Sequence, residues 1–224
     1  MIDRREVALT YVVLGCFSLL SLVPIVAILI TAVQDPGGTA AVGEPGGLHL
    51  GNFATAWDEG HFGSYLRSSA IVAAGVATAA TLFSVLAGYA FGMLRFRGQQ
   101  VLFYLLLVGL VVPLESTIVP LYYDLRDVNL TDTYWALILP QVGVSVAFGT
   151  FWMRAFFRSV PRSLVEAARL DAASSWATLW RVVLPMGRPA VLTLVLLVFM
   201  WTWNEFLLAL VMVTDEGLRT ARPP

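Results

Sequence analysis

Glu205 stands among Trp201, Trp203 and Asn204 in the run W-T-W-N-E-F-L, inside a stretch that is otherwise apolar. Carboxylates and amides bind sugar hydroxyls, and indole faces stack on sugar rings. The set therefore has the chemistry of a sugar contact. Glu115 is a second acid within an apolar run. Acids in such runs are costly in a bilayer and often mark function. A structural role is open to the same residues. Asn204 and Glu205 can bond to a neighbouring helix, and the tryptophans can form an interfacial belt.

Other chemistry is excluded more sharply. All 14 basic residues are arginine. Without lysine the chain can hold no P-loop, whose lysine reaches the nucleotide phosphates, and no lysine Schiff base. The single cysteine, Cys16, lies in an apolar run and cannot form an internal disulfide. His49 and His61 sit in a hydrophilic loop, and no His, Cys and carboxylate cluster has metal-ligand spacing. No nucleophile and base are paired. Catalysis, a metal, a cofactor held by this chain and nucleic-acid binding are not expected.

The elements that position the acids are membrane spans. The chain is 58% hydrophobic and 13% charged, with a mean hydropathy of +0.77, against about 45–50% and 25% in soluble domains. Five segments reach the roughly 20 apolar residues that a bilayer core requires: Val7–Val33, Ser68–Leu94, Gln100–Tyr122, Tyr134–Phe156 and Pro189–Val213. The first is too long for a signal-peptide core and reads as a retained helix. The second is rich in small residues, including Ala73, Ala77, Ala80, Gly88 and Gly92, as close helix packing in lipid requires. Pro113 and Pro120 are expected to bend the third. Glu205 lies 16 residues beyond Pro189, about 24 Å along a helix, in the outer half of the bilayer.

The arginines orient the bundle. With the N-terminus inside, Arg4, Arg5, Arg95, Arg97, Arg154, Arg158, Arg162, Arg169, Arg181 and Arg188 are cytoplasmic, and only Arg67, Arg126, Arg219 and Arg222 are external. The expected organisation is a tail and first span over 1–33, an external loop over 34–67, a core over 68–213 with a cytoplasmic loop over 157–188, and an external tail over 214–224.

That cytoplasmic loop is patterned. Ser163 and Glu166 form an S-x-x-E capping box, which predicts a short helix from Leu164. Leu164, Ala167, Ala168 and Asp171 would share a face, small and acidic enough to dock into another protein. Asp171 and Ser174 offer a second cap, ahead of a helix over Trp176 to Leu184. Pro185 and Pro189 then mark the return to the membrane.

The segment E-A-A-R-L-D-A-A, followed by V-V-L-P, resembles the EAA loop of ABC importer permeases. V-P-L-E-S-T-I-V-P-L-Y-Y, L-T-D-T-Y-W-A-L-I-L-P, F-G-T-F-W-M-R and W-T-W-N-E-F-L resemble the carbohydrate-uptake, maltose-type branch. The likeness runs from about Asn52 to Arg219. It implies an all-α polytopic bundle with a cytoplasmic coupling helix, in a prokaryotic plasma membrane. Glu166, Ala167, Ala168, Asp171 and Ala172 would be the residues that couple to a separate cytoplasmic ATPase, where ATP is bound. A second permease subunit and an external solute-binding protein are implied partners. Glu115, Trp201, Asn204 and Glu205 are the expected substrate path. A non-sugar solute is one alternative, and an ion-coupled secondary transporter is another.

Two departures from the family pattern stand out. Ala172 occupies a position where the family has glycine; a left-handed backbone there would cost alanine about 1–2 kcal/mol. Five spans are expected where the family carries six, so the chain is expected to stop short of the last.

Overall fold

The computed structural model describes residues 4–34 and 48–213. Positions 35–47 of the expected external loop, Arg219, Arg222 and the tail over 214–224 lie outside the described residues. The chain divides into two compact units, Met1–Gly63 and Ser64–Pro224.

In the first unit, helix α1 spans Arg4–Ala32. Its residues through Thr31 are all exposed, as suits a helix whose solvent is lipid. The end of α1 leaves carbonyls without helical donors. Asn52, at the start of α2 (Gly51–Glu59), donates its side-chain amide to the Ala32 and Gln34 carbonyls at 3.1 and 2.7 Å. The His49 N–H bonds to the Val33 carbonyl at 2.9 Å. The expected first span is thus one continuous helix.

The second unit is built on two long helices, α3 (Phe62–Met93) and α6 (Tyr134–Ser159). They pack side by side in the same direction. Ser84 meets Gly149, Gly88 meets Met153 and Gly92 meets Phe157. At the far end the Ser68 and Tyr134 hydroxyls share a hydrogen bond of 3.2 Å. A Cβ on Gly88 would stand 2.5 Å from that of Met153, and one on Gly92 would stand 2.9 Å from that of Phe157. The small residues of the second span therefore do what lipid cannot do: they let backbones approach until dispersion holds them. Among the described residues, the buried hydroxyls of Thr81, Ser84 and Thr150 have no hydrogen-bond partner.

Two expected spans are broken. The segment Gln100–Tyr122 is not one bent helix. It divides into α4 (Gln99–Val108) and α5 (Leu114–Asp127). Pro113 has no N–H to donate and biases the preceding residue out of helical geometry, so the helix stops instead of bending. Pro120 is carried inside α5. The second break falls in Pro189–Val213. There α10 (Arg188–Trp203) ends before α11 (Leu207–Met212). No proline causes it. The Asn204 side chain donates at 2.7 Å to the Met200 carbonyl, which also accepts the Asn204 N–H at 3.2 Å, and so adds a local bond at the helix end. Among the described residues, three helices are long and apolar enough to cross a membrane. The segments α5 and α11 pack on each other, and the Asp132 N–H bonds to the Met212 carbonyl at 3.0 Å.

The α3–α6 contact sets the first prediction. Gly88→Val should destabilise the bundle by about 1–3 kcal/mol through overpacking. Ser84→Ala, which removes an unpartnered hydroxyl, should be neutral or stabilising by up to about 1 kcal/mol. Thermal unfolding in detergent, followed by helical circular dichroism, separates the two.

Candidate functional site

The loop between α6 and α10 is helical through most of its length. Helix α7 runs over Arg162–Leu170 with Pro161 at its N-cap. This corrects the expected capping box. The extended backbone at Pro161 already starts the helix, so Ser163 sits inside its first turn and makes no cap hydrogen bond. The expected shared face is also corrected. Ala168 is buried and Leu164 half-buried, while Glu166, Ala167, Leu170 and Asp171 are exposed. The inward side rests on the following segment. The outward side offers a small alanine beside two carboxylates and a leucine that is 89% exposed.

The helix ends in a Schellman motif. The Ala173 N–H reaches the Ala168 carbonyl at 2.9 Å, and the Ala172 N–H reaches Arg169 at 3.0 Å. The motif requires a left-handed residue, and Ala172 supplies it with φ of 55°. Among the described residues the other non-glycine positive φ values belong to His61, Asn129 and Asp132, types that enter this region several-fold more often than most. Ala172 alone lacks that ease, so the departure from glycine carries a conformational cost.

Ser174 then caps the next segment as expected, accepting the Ala177 N–H at 3.2 Å. The helix expected over Trp176 to Leu184 is present with altered winding. Helix α8 (Ser175–Ala177) passes into a π-helical turn over Thr178–Val183 and then α9 (Leu184–Met186). Pro185 has no N–H for the Arg181 carbonyl, which favours the wider i→i+5 spacing at this point. The chain then turns through 81° into α10. A Cβ on Gly187 would stand 2.5 Å from the Phe156 ring, so the bend is pressed against the end of α6.

Helix α6 fixes this region from two sides. The Trp152 indole N–H donates to the Ala190 carbonyl at 3.0 Å and pins the first turn of α10. Arg154 donates through Nε to the Phe91 carbonyl at 3.3 Å, and its guanidinium lies 3.8 Å above the Phe103 ring. The Gln99 side-chain amide donates to the same Phe91 carbonyl at 2.7 Å. The ends of α3, α4 and α6 meet at this joint. Sequence reasoning counted Arg154 only as a topology charge. Its position one turn before the end of α6, with aromatic residues nearby in sequence, was the available signal.

The expected substrate-path residues are partly brought together. Trp201, Asn204 and Glu205 lie at the end of α10 and in the break that follows. Trp201 meets the Phe148 ring edge-on at 4.9 Å. Glu205 is half-buried, and its Oε1 accepts the Leu208 N–H at 3.0 Å, capping α11. Its hydrogen bond is thus to its own chain direction and not to a neighbouring span. Glu115 stands apart in the first turn of α5 and is exposed.

A family model for binding-protein-dependent transport system inner membrane components matches residues 80–223. The diacetylchitobiose uptake system permease protein of Streptomyces coelicolor is 31% identical, over 96% of this chain and 72% of its own length. The sulfoquinovosyl glycerol transport system permease protein of Agrobacterium fabrum is 36% identical, over 76% of this chain and 60% of its own length. A bacterial ABC transporter that imports the acidic polysaccharide alginate shares the fold. Its superposition has a TM-score of 0.85 and 24% identity, over 98% of this chain and 78% of that one.

The turn after α7 yields a prediction. Ala172→Gly relieves left-handed strain and adds some freedom to the unfolded chain, for a net gain of about 0.5–1 kcal/mol. Hydrogen exchange at the Ala173 amide should slow about two- to fivefold, and Ala172→Val should speed it.

Proposed function

Since the chain belongs to the family of binding-protein-dependent transport system inner membrane components, the ABC importer permeases, we propose that it forms part of the pore of an ATP-driven importer for a sugar or oligosaccharide. The observation that carries this reading is the exposed outer side of α7, formed by Glu166, Ala167, Leu170 and Asp171, on a helix tied through a short helical segment to α10. A separate cytoplasmic ATPase receives that side in a cleft. Ala168 acts from beneath, as the packing side of the same helix, and Ala172 shapes the turn that ends it. The ATPase subunits hold the nucleotide, a second permease subunit completes the pore, and an external binding protein delivers the solute. The N-terminus and α7 lie in the cytoplasm of a prokaryotic cell, as the arginine distribution favours. The chain catalyses no covalent step.

The mechanism is alternating access. ATP-driven closure moves α7, and the segment Ser175–Met186 passes the movement across the 81° bend to α10. The break after α10 places unwound backbone, Asn204 and Glu205 within a span. Such backbone is tolerated where it is buried in protein or lines a wet cavity. Together with Trp201 this gives a carboxylate, an amide and an indole suited to hydroxyl-rich solutes, and Glu115, apart at the other break, is a second carboxylate of the proposed path. The names of relatives that carry diacetylchitobiose and sulfoquinovosyl glycerol support a glycoside as cargo.

A pull-down from native membranes tests the coupling role. Wild type should bring down an ATPase subunit, and Glu166→Arg should lose it while the protein remains folded; equal recovery would sink the assignment. Uptake should require ATP and survive an uncoupler, which an ion-coupled transporter would not.

The substrate path has its own test. A glutamine at position 205 keeps an oxygen that can cap α11 but removes the charge. Glu205→Gln should leave assembly intact and lower sugar uptake at least several-fold. If uptake is unchanged, Glu205 serves α11 alone. Glu205→Ala should also lose the cap, at about 1 kcal/mol.

A further inference from the structure

We propose that the groove between α3 and α10 is a binding site for an anionic phospholipid, with one acyl chain along the groove and the phosphate at Arg188. The inference goes beyond the transport reading and requires only that the chain spans a bilayer.

Two cavities, of about 470 and 310 Å³, share Trp180, Leu184 and Val191 and so form one groove. One wall of the larger part is a stripe of α3 from Ala74 through Thr78 to Val85, and the other includes Val195 and Phe199 of α10. The smaller part continues to Pro185 and Arg188 at the start of α10. Among the described residues, Arg188 is the only charged one that lines either part, and it is exposed.

Dimensions choose the occupant. From Arg188 to Phe199 the groove follows α10 for about 16 Å, close to the roughly 15 Å depth of one leaflet's hydrocarbon. A volume of about 470 Å³ along an open apolar groove holds a single extended polymethylene chain.

Charge chooses the headgroup. A guanidinium at the end of an apolar groove pairs with phosphate, and its fork suits two oxygens. The positive end of the 16-residue helix α10 lies at the same place. Trp180 borders both parts, and indole favours the level between headgroup and chain. A zwitterionic headgroup brings a compensating cation to the same spot, so a net anionic lipid is preferred. Trp180 and Leu184 belong to the segment between α7 and α10. A lipid seated there therefore braces the bend that links them.

The test uses the full chain, with its co-purifying subunits, in nanodiscs of phosphatidylcholine mixed with phosphatidylglycerol. After release into the gas phase, native mass spectrometry counts the lipid retained. Wild type should keep phosphatidylglycerol over phosphatidylcholine. Arg188→Gln should lose that preference at least tenfold, and Arg188→Lys should keep most of it, which separates charge from folding. Thr78→Phe, at an exposed groove position, should lose retention with the arginine intact. Equal retention of both lipids by wild type would overturn the proposal, as would undiminished retention by Arg188→Gln. It would also be overturned if Thr78→Cys, in a Cys16→Ser chain, cross-linked to a protein subunit in the native membrane.

Discussion

The close parallel contact of α3 with α6 is the interaction on which the rest of the structure depends. In lipid, a helix gains nothing by hiding apolar side chains, because the solvent is apolar as well. Helices must instead gain from contact geometry. Gly88 and Gly92 on α3 and Gly149 on α6 remove side chains where the two axes are nearest. Met153 and Phe157 fill the space so created and are fully buried. Tyr89 adds an edge-to-face contact with Phe157 at 5.5 Å. Once α6 is held, it becomes the post for everything on the α7 side of the unit. Trp152 holds α10, Arg154 joins α4 to the end of α3, and Phe156 sets the bend at Gly187.

The second constraint is that backbone polar groups inside a bilayer need partners. Both broken spans can be read through it. Around Pro113, the Leu110 and Val111 amides turn back to Leu107 and Val108 at 3.0 Å each, and the Ser116 hydroxyl donates to the Pro113 carbonyl at 2.7 Å. At the other break, Asn204 and Glu205 provide side-chain partners for one helix end and the next helix start. The polar residues that stand out within these apolar runs are therefore also the ones that make the interruption tolerable. A role at the break and a role toward a solute are compatible, since an unwound segment needs both stability and access.

Much of this was legible in the sequence, for identifiable reasons. Span existence follows from composition, and the α3 packing stripe follows from residues spaced four apart. The EAA segment and its flanks carried the family. What escaped were outcomes of competition between local signals. Ser163 and Glu166 have capping-box spacing, but Pro161 starts the helix earlier and displaces them. Leu164 and Ala168 share a face, yet which face turns inward depends on the segment Ser175–Met186 folding back beneath it. The π-helical turn just precedes Pro185 and the 81° bend, and the missing Pro185 N–H signals an interruption without giving its winding. The Glu205 cap required knowing that the helix breaks, and no proline or glycine marks that place.

The same observations bear on the coupling proposed between α7 and α10. A transmitting element must resist bending within itself and yield at its ends. From Ser175 to Met186 the chain is helical throughout, and Thr178, Leu179 and Val183 are buried. The compliant points are the left-handed turn at Ala172 and the bend at Gly187, one at each end. Their chemistry differs. Gly187 is confined by the Phe156 ring, so its position follows α6. Ala172 is exposed and holds its conformation against an intrinsic preference, so it is kept by the Schellman bonds to Ala168 and Arg169. Strain at that turn lowers the work needed to change the angle between α7 and the segment below it. In the proposed coupling role, a helical segment held by α6 at Gly187 and by the Schellman bonds at Ala172 would pass force toward α10 and take up misalignment at α7.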